Sequence, residues 1–100
     1  MCKLVRDKIP EVIMATGKVP DTKILVNDSE YLTALDNKLY EEIEEYMSSR
    51  NLEELADILE VVFAHCELLG GTKEELFEIC AAKRLSRGSF KQRIFWNGNK

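Results

Sequence analysis

Histidine is nearly absent: His65 stands alone, with no cysteine or second histidine at ligand spacing, and it is assigned no role. There is no nucleophilic triad, no phosphate-binding P-loop and no dinucleotide-binding glycine pattern. The three cysteines, Cys2, Cys66 and Cys80, form no C-x-x-C pair. An odd count at such spacing reads as reduced thiols of a cytoplasmic protein, not as disulfides or metal ligands. No apolar run follows Met1, so no secretory signal is expected. No apolar stretch approaches the ~20 residues of a membrane span. Acidic residues are missing from residues 81–100, which carry six Lys or Arg. Repeats, linkers and low-complexity segments are absent as well.

What remains is a chain of 100 residues, 45% hydrophobic and 32% charged, which fits a single domain over 1–100 with a modest core. A core of that size gains from sharing with a second copy. The net charge of −4 argues against a nucleic-acid polymer as partner. The acidic middle and the basic end belong to one small domain and could face each other across a site; the alternative is a basic tail solvated on its own.

The apolar spacing predicts a mainly all-α fold. A short helix lies within residues 1–17, capped by Asp7, with Ile9, Val12 and Ile13 on its apolar side. The first long helix covers about 29–48 behind the caps Asn27, Asp28 and Ser29, with the stripe Leu32, Leu35, Leu39, Ile43 and Tyr46. The second covers about 51–69, opened by Asn51 and Glu54 and closed by Gly70-Gly71. The second has two apolar stripes, which implies enclosure by more than the first helix. A third helix over about 72–86 opens on the capping box Thr72-Lys73-Glu74-Glu75 and buries Leu76, Phe77, Ile79, Cys80 and Leu85. The architecture expected is an antiparallel hairpin plus a third helix, a bundle completed by oligomerisation. Residues 23–26 and 93–96 have strand character and would pair as a minor two-strand β element.

The chemistry lies in residues 41–60, where eight of twenty residues are acidic and one is basic. Glu42 with Glu45, and Glu54 with Asp57, are each three apart, so each pair shares one helix face. The break Ser48-Ser49-Arg50-Asn51 is short enough to make the two helices antiparallel neighbours, with all four carboxylates at one end of the hairpin. Asp57 is a weak helix former in mid-helix, on the stripe that continues into Val61 and Leu68. A partly buried carboxylate needs a partner, and a hard divalent cation answers that need better than Arg50. Glu44, Glu53 and Glu60 read as solvated. Lys83 and Arg87, four apart, read either as charges that match the helix dipole and aid solubility or as a clamp suited to polyphosphate. Lys3, Arg6 and Lys8 make a second basic group, equally well read as a solvated N-terminus. Tyr31, Tyr46, Phe63 and Trp96 read as core or interface.

The pattern Glu41-Glu42-Ile43-Glu44-Glu45 followed by Glu54-Leu55-Ala56-Asp57 resembles the MazG-like nucleoside triphosphate pyrophosphohydrolases. The opening Lys3-Leu4-Val5-Arg6-Asp7-Lys8-Ile9-Pro10 and the closing Arg87-Gly88-Ser89-Phe90 with Arg93-Ile94-Phe95 are similar to a compact phosphoribosyl-ATP pyrophosphohydrolase-like branch. The resemblance implies that Glu42, Glu45, Glu54 and Asp57 hold Mg²⁺ or Mn²⁺. It also implies cleavage of a nucleoside triphosphate between its α- and β-phosphates, and assembly as a homodimer or homotetramer. Eight residues separate Glu45 from Glu54, fewer than is usual in the family, which implies a tighter turn. On this reading a water activated by the ion attacks the α-phosphorus, Glu41 or Glu45 accepts its proton, and Lys83 and Arg87 hold the departing pyrophosphate. Two alternatives stand beside it: phosphoribosyl-ATP hydrolysis in histidine biosynthesis, and a non-catalytic helical module that dimerises or binds a nucleotide.

Overall fold

A computed structural model describes residues 2–100. Four helices follow in order: α1 (Ile9–Met14), α2 (Asp28–Ser49), α3 (Leu52–Leu68) and α4 (Lys73–Arg87). The fold is all-α, and no strand occurs among the described residues. Residues 23–26 and 93–96 are irregular, so the expected two-strand element does not form. Ile24, Val26, Ile94, Phe95 and Trp96 stand largely exposed instead. Two short runs without a third strand or a covering helix have too little to bury.

Caps set the ends of the long helices. The Asn27 side chain accepts from the Ser29 and Glu30 amides at 2.9 and 3.1 Å, which starts α2. Asn51 accepts from the Glu54 amide at 2.9 Å and starts α3. Thr72 Oγ1 accepts from the Glu75 amide at 3.1 Å, which caps α4, and donates to the Glu75 carboxylate at 3.2 Å; the carboxylate takes the hydroxyl and not the Thr72 amide, so half of the expected capping box forms. Asp7 does not cap α1; Lys8 occupies that position and makes no side-chain cap bond. With six residues and nothing buried, α1 is held as part of the N-terminal segment.

The turn between α2 and α3 is tighter than the four-residue break suggests. Ser48 and Ser49 stay in α2, and only Arg50 and Asn51 lie between the helices. Arg50 adopts the left-handed conformation, φ 53°, with its amide donating to the Tyr46 carbonyl at 2.8 Å. Its guanidinium lies 5.1 Å from the centre of the Tyr46 ring, so it stacks on the turn and leaves the acids alone.

Among the described residues, Leu35 of α2 and Val61 of α3 are the buried apolar side chains at the hairpin seam. Ala64 and Leu68 continue the Val61 stripe and are half-buried. The other α3 stripe is open: Leu52, Leu55 and Leu59 are exposed. The α4 helix packs against α3, where Phe77 meets Phe63 edge to face at 5.8 Å, and it does not close onto α2. Of its expected buried side only Leu76 is half-buried; Phe77, Ile79, Cys80 and Leu85 are exposed in the single chain. The result is elongated, 61 × 32 × 23 Å, with a radius of gyration of 17.7 Å. A compact domain of this length has a radius near ~13 Å.

Candidate metal centre

Each acid pair lies along one face of its helix, and the tight turn places the α2 pair opposite the α3 pair. Glu42, Glu45, Glu54 and Asp57 each bring one carboxylate oxygen to within 4.8 Å of the other three. Two oxygens bound to one ion are at most two metal–oxygen bonds apart, about 4.2 Å for Mg²⁺ and about 5 Å for Ca²⁺. The four acids therefore stand at or just outside coordination distance.

Burial sharpens the case. Glu42 is 6% exposed, in mid-helix, and its Oε2 has no hydrogen-bond partner. Glu54 Oε2 is likewise shielded and without a partner. Its backbone amide serves Asn51, and that leaves the carboxylate to the cluster. Shielded, unpaired carboxylate oxygens cost several kcal/mol unless a cation reaches them or they take up a proton, so the donor set fits a hard divalent ion.

Three cations flank the cluster. Lys38, one turn before Glu42 on α2, sits 3.1 Å from Glu42 Oε1 and 3.4 Å from Glu41 Oε2. Lys3 reaches Glu41 Oε1 at 3.2 Å. Arg6 Nη2 donates to Asp57 Oδ1 at 2.6 Å. Together, five acids (Glu41, Glu42, Glu45, Glu54 and Asp57) meet three bases, leaving two negative charges that one divalent cation balances.

The titration behaviour follows this layout. Burial works to raise the Glu41 carboxyl, but Lys3 and Lys38 outweigh it and hold the group below its ordinary value. Glu45 is pushed up, first by the charge of Glu42, then by loss of solvent and by Glu54 and Glu41. Lys38 loses solvent, which favours its neutral form, yet Glu42 and Glu41 together raise it.

A hollow of about 380 Å³ opens beside the cluster, with Arg6, Lys38, Glu42 and Asp57 among its walls. It runs along α3 past Val61 and Ala64 toward Glu67, and Tyr31 and Phe63 also line it. A shallower hollow of about 350 Å³ lies against Glu41, Glu45 and Glu54 with Ser48 and Ser49.

The four expected ligands and both proton-acceptor candidates are thus brought together, Glu41 through its lysines and Glu45 within the cluster itself. Lys83 and Arg87 are not part of the assembly. Both are exposed on α4 and line neither hollow. The expectation that the basic end faces the acids is not met inside one chain. The cations that do face them are Lys38, Lys3 and Arg6. Lys38 was legible, because it precedes Glu41 by three and Glu42 by four. The Arg6 pairing was not, since 51 residues separate it from Asp57.

No family model matches the chain. An uncharacterized protein of Mycolicibacterium smegmatis (strain ATCC 700084 / mc(2)155) is 53% identical over 45 residues, which is 45% of this chain and 45% of that protein. The match thus spans less than half the length of that relative. No solved structure matches.

Proposed function

We propose that this protein is a MazG-like, Mg²⁺-dependent nucleoside triphosphate pyrophosphohydrolase that releases a nucleoside monophosphate and pyrophosphate. The observation that carries the reading is the convergence of Glu42, Glu45, Glu54 and Asp57, with shielded oxygens of Glu42 and Glu54 lacking any donor. These four acids would hold Mg²⁺, or Mn²⁺ in its place. When bound, the ion supplies charge neutralisation of phosphate oxygens and a more acidic water.

The chain's own residues do the rest. Glu45 is the better proton acceptor of the two candidates, being exposed and pushed up by its neighbours, whereas Glu41 is held low by Lys3 and Lys38. Lys38 pairs with the buried Glu42 carboxylate at 3.1 Å and holds it beside the cluster. The hollow along α3 accommodates the nucleoside, with Phe63 and Tyr31 offering aromatic surface. Lys83 and Arg87, remote from the acids of their own chain, would meet the pyrophosphate from a neighbouring copy. Assembly as a homodimer or homotetramer is part of the proposal, supported by the open apolar stripes of α3 and α4. Three free cysteines suit a reducing cytoplasm, and among the described residues no helix is long and apolar enough to cross a membrane.

The test is pyrophosphate release from ribo-, deoxyribo- and modified nucleoside triphosphates and phosphoribosyl-ATP, with Mg²⁺ and with EDTA. Release that requires Mg²⁺ is expected, and Asp57→Asn should lower it by about a hundredfold or more. Full turnover in that variant would defeat the assignment. Preference for phosphoribosyl-ATP would point to the histidine pathway. Silence across the panel, with no metal uptake, would favour an interaction module built on the open α3 stripe.

A further inference from the structure

We propose that Arg6 exchanges between two anions: it neutralises Asp57 while the site lacks metal, and it binds a substrate phosphate once the metal is in place. The inference rests on the metal-site reading above and adds to it a phosphate-binding residue from the N-terminal segment.

Two cations of the cluster are held very differently. Lys38 is embedded: its side chain is 15% exposed and it is tied to Glu41 and Glu42 on its own helix. Arg6 is 55% exposed and lies on a segment, residues 2–6, with no helix or strand to hold it. Arg6 nevertheless makes the shortest contact of the cluster, 2.6 Å to Asp57 Oδ1. A cation entering among the four carboxylates competes for Asp57 with Arg6, and a more highly charged ion with several ligands prevails. Lys38 has no room to leave, whereas Arg6 has.

Arg6 also has somewhere to go. Together with Leu4, Val5 and Asp7 it lines the same hollow as Glu42 and Asp57, so a released guanidinium remains at the wall where phosphates would approach. A guanidinium presents a planar fork of donors that matches two phosphate oxygens, and it is weakly hydrated.

Exchange predicts effects of opposite sign, which a purely structural role does not. Binding of Mn²⁺ to the full-length protein is measured by calorimetry, followed by titration of methylenediphosphonate, an uncleavable pyrophosphate, into the Mn²⁺-loaded protein. Arg6→Gln should tighten Mn²⁺ binding by about two- to fivefold, the scale of a half-exposed ion pair. The same variant should weaken methylenediphosphonate by about tenfold, the scale of a charged hydrogen bond. Arg6→Lys, which keeps the charge and loses the fork, should fall between wild type and Arg6→Gln for the diphosphonate. Weakening of both ligands by Arg6→Gln would make Arg6 a structural strut and overturn the proposal, as would an unchanged affinity for either. Failure of the wild-type protein to take up Mn²⁺ would sink the metal site itself and leave Arg6 as a plain counter-ion of Asp57.

Discussion

Glu45 carries the cost of concentrating acids in one place. Its carboxyl is raised by Glu42, by partial loss of solvent and by Glu54 and Glu41, so the folded protein binds a proton there more tightly than the unfolded chain does. The stabilisation linked to that proton is complete below the unfolded carboxylate pKa of about 4.3 and is lost as pH rises through the raised value. Glu41 has the opposite sign: its depressed pKa contributes stability above the unfolded value, lost as pH falls through the folded one. In EDTA, thermal melts should therefore show stability falling as pH rises through the Glu45 range. Glu45→Gln should remove that fall and melt above wild type near neutral pH, while binding less metal. Saturating Mg²⁺ should abolish the same fall in the wild type, because a divalent charge relieves the repulsion. A Glu45→Gln melt below wild type in EDTA at neutral pH would contradict this account.

At the scale of elements, the hairpin rests on a few contacts of unequal weight. Leu35 is 1% exposed and fills the seam between α2 and α3. Truncating it to alanine removes buried methyl groups and leaves a cavity, a loss of about 3 kcal/mol. Asn51 acts at the end of α3, where its side chain accepts from the Glu54 amide. Its replacement by alanine should cost about 1 kcal/mol, as for other N-caps. Urea melts of the two variants check the order. Equal losses would mean that the turn, not the seam, sets hairpin stability. The turn also places the acids, since the antiparallel register seats Glu45 near Glu54 and Glu42 near Asp57.

For the whole molecule, surface area is the informative quantity. The chain exposes 9177 Å², whereas a self-contained monomer of 11.5 kDa exposes about 5,800 Å². Part of the difference belongs to irregular residues 15–27 and 88–100, and part to the stripe Leu52, Leu55, Leu59 and the exposed α4 residues Phe77 and Ile79. Extended obligate interfaces bury surface on this scale. Light scattering should report a dimer or tetramer, and the melting temperature should rise with protein concentration, as coupled folding and association require. Leu59→Asp, on the open stripe, should shift the protein toward monomer. A wild-type monomer whose melting does not depend on concentration would refute the assembly.

Features that depend on neighbours along the chain are legible without the fold. Helix starts at Asn27, Asn51 and Thr72 follow from capping over three residues, and the pairing of Glu42 with Glu45 and of Glu54 with Asp57 follows from helical periodicity. Pairing of 23–26 with 93–96 rests on the strand character of two short runs alone, and it does not form because an isolated pair buries too little. Which cations meet the acids is set by packing between distant segments. Lys83 and Arg87 stay apart on an α4 that touches α3 and not α2, while Lys3 and Arg6 fold back from the other end of the chain. The physical reason is that capping and periodicity are local, whereas an ion pair across 51 residues depends on where packing carries each segment.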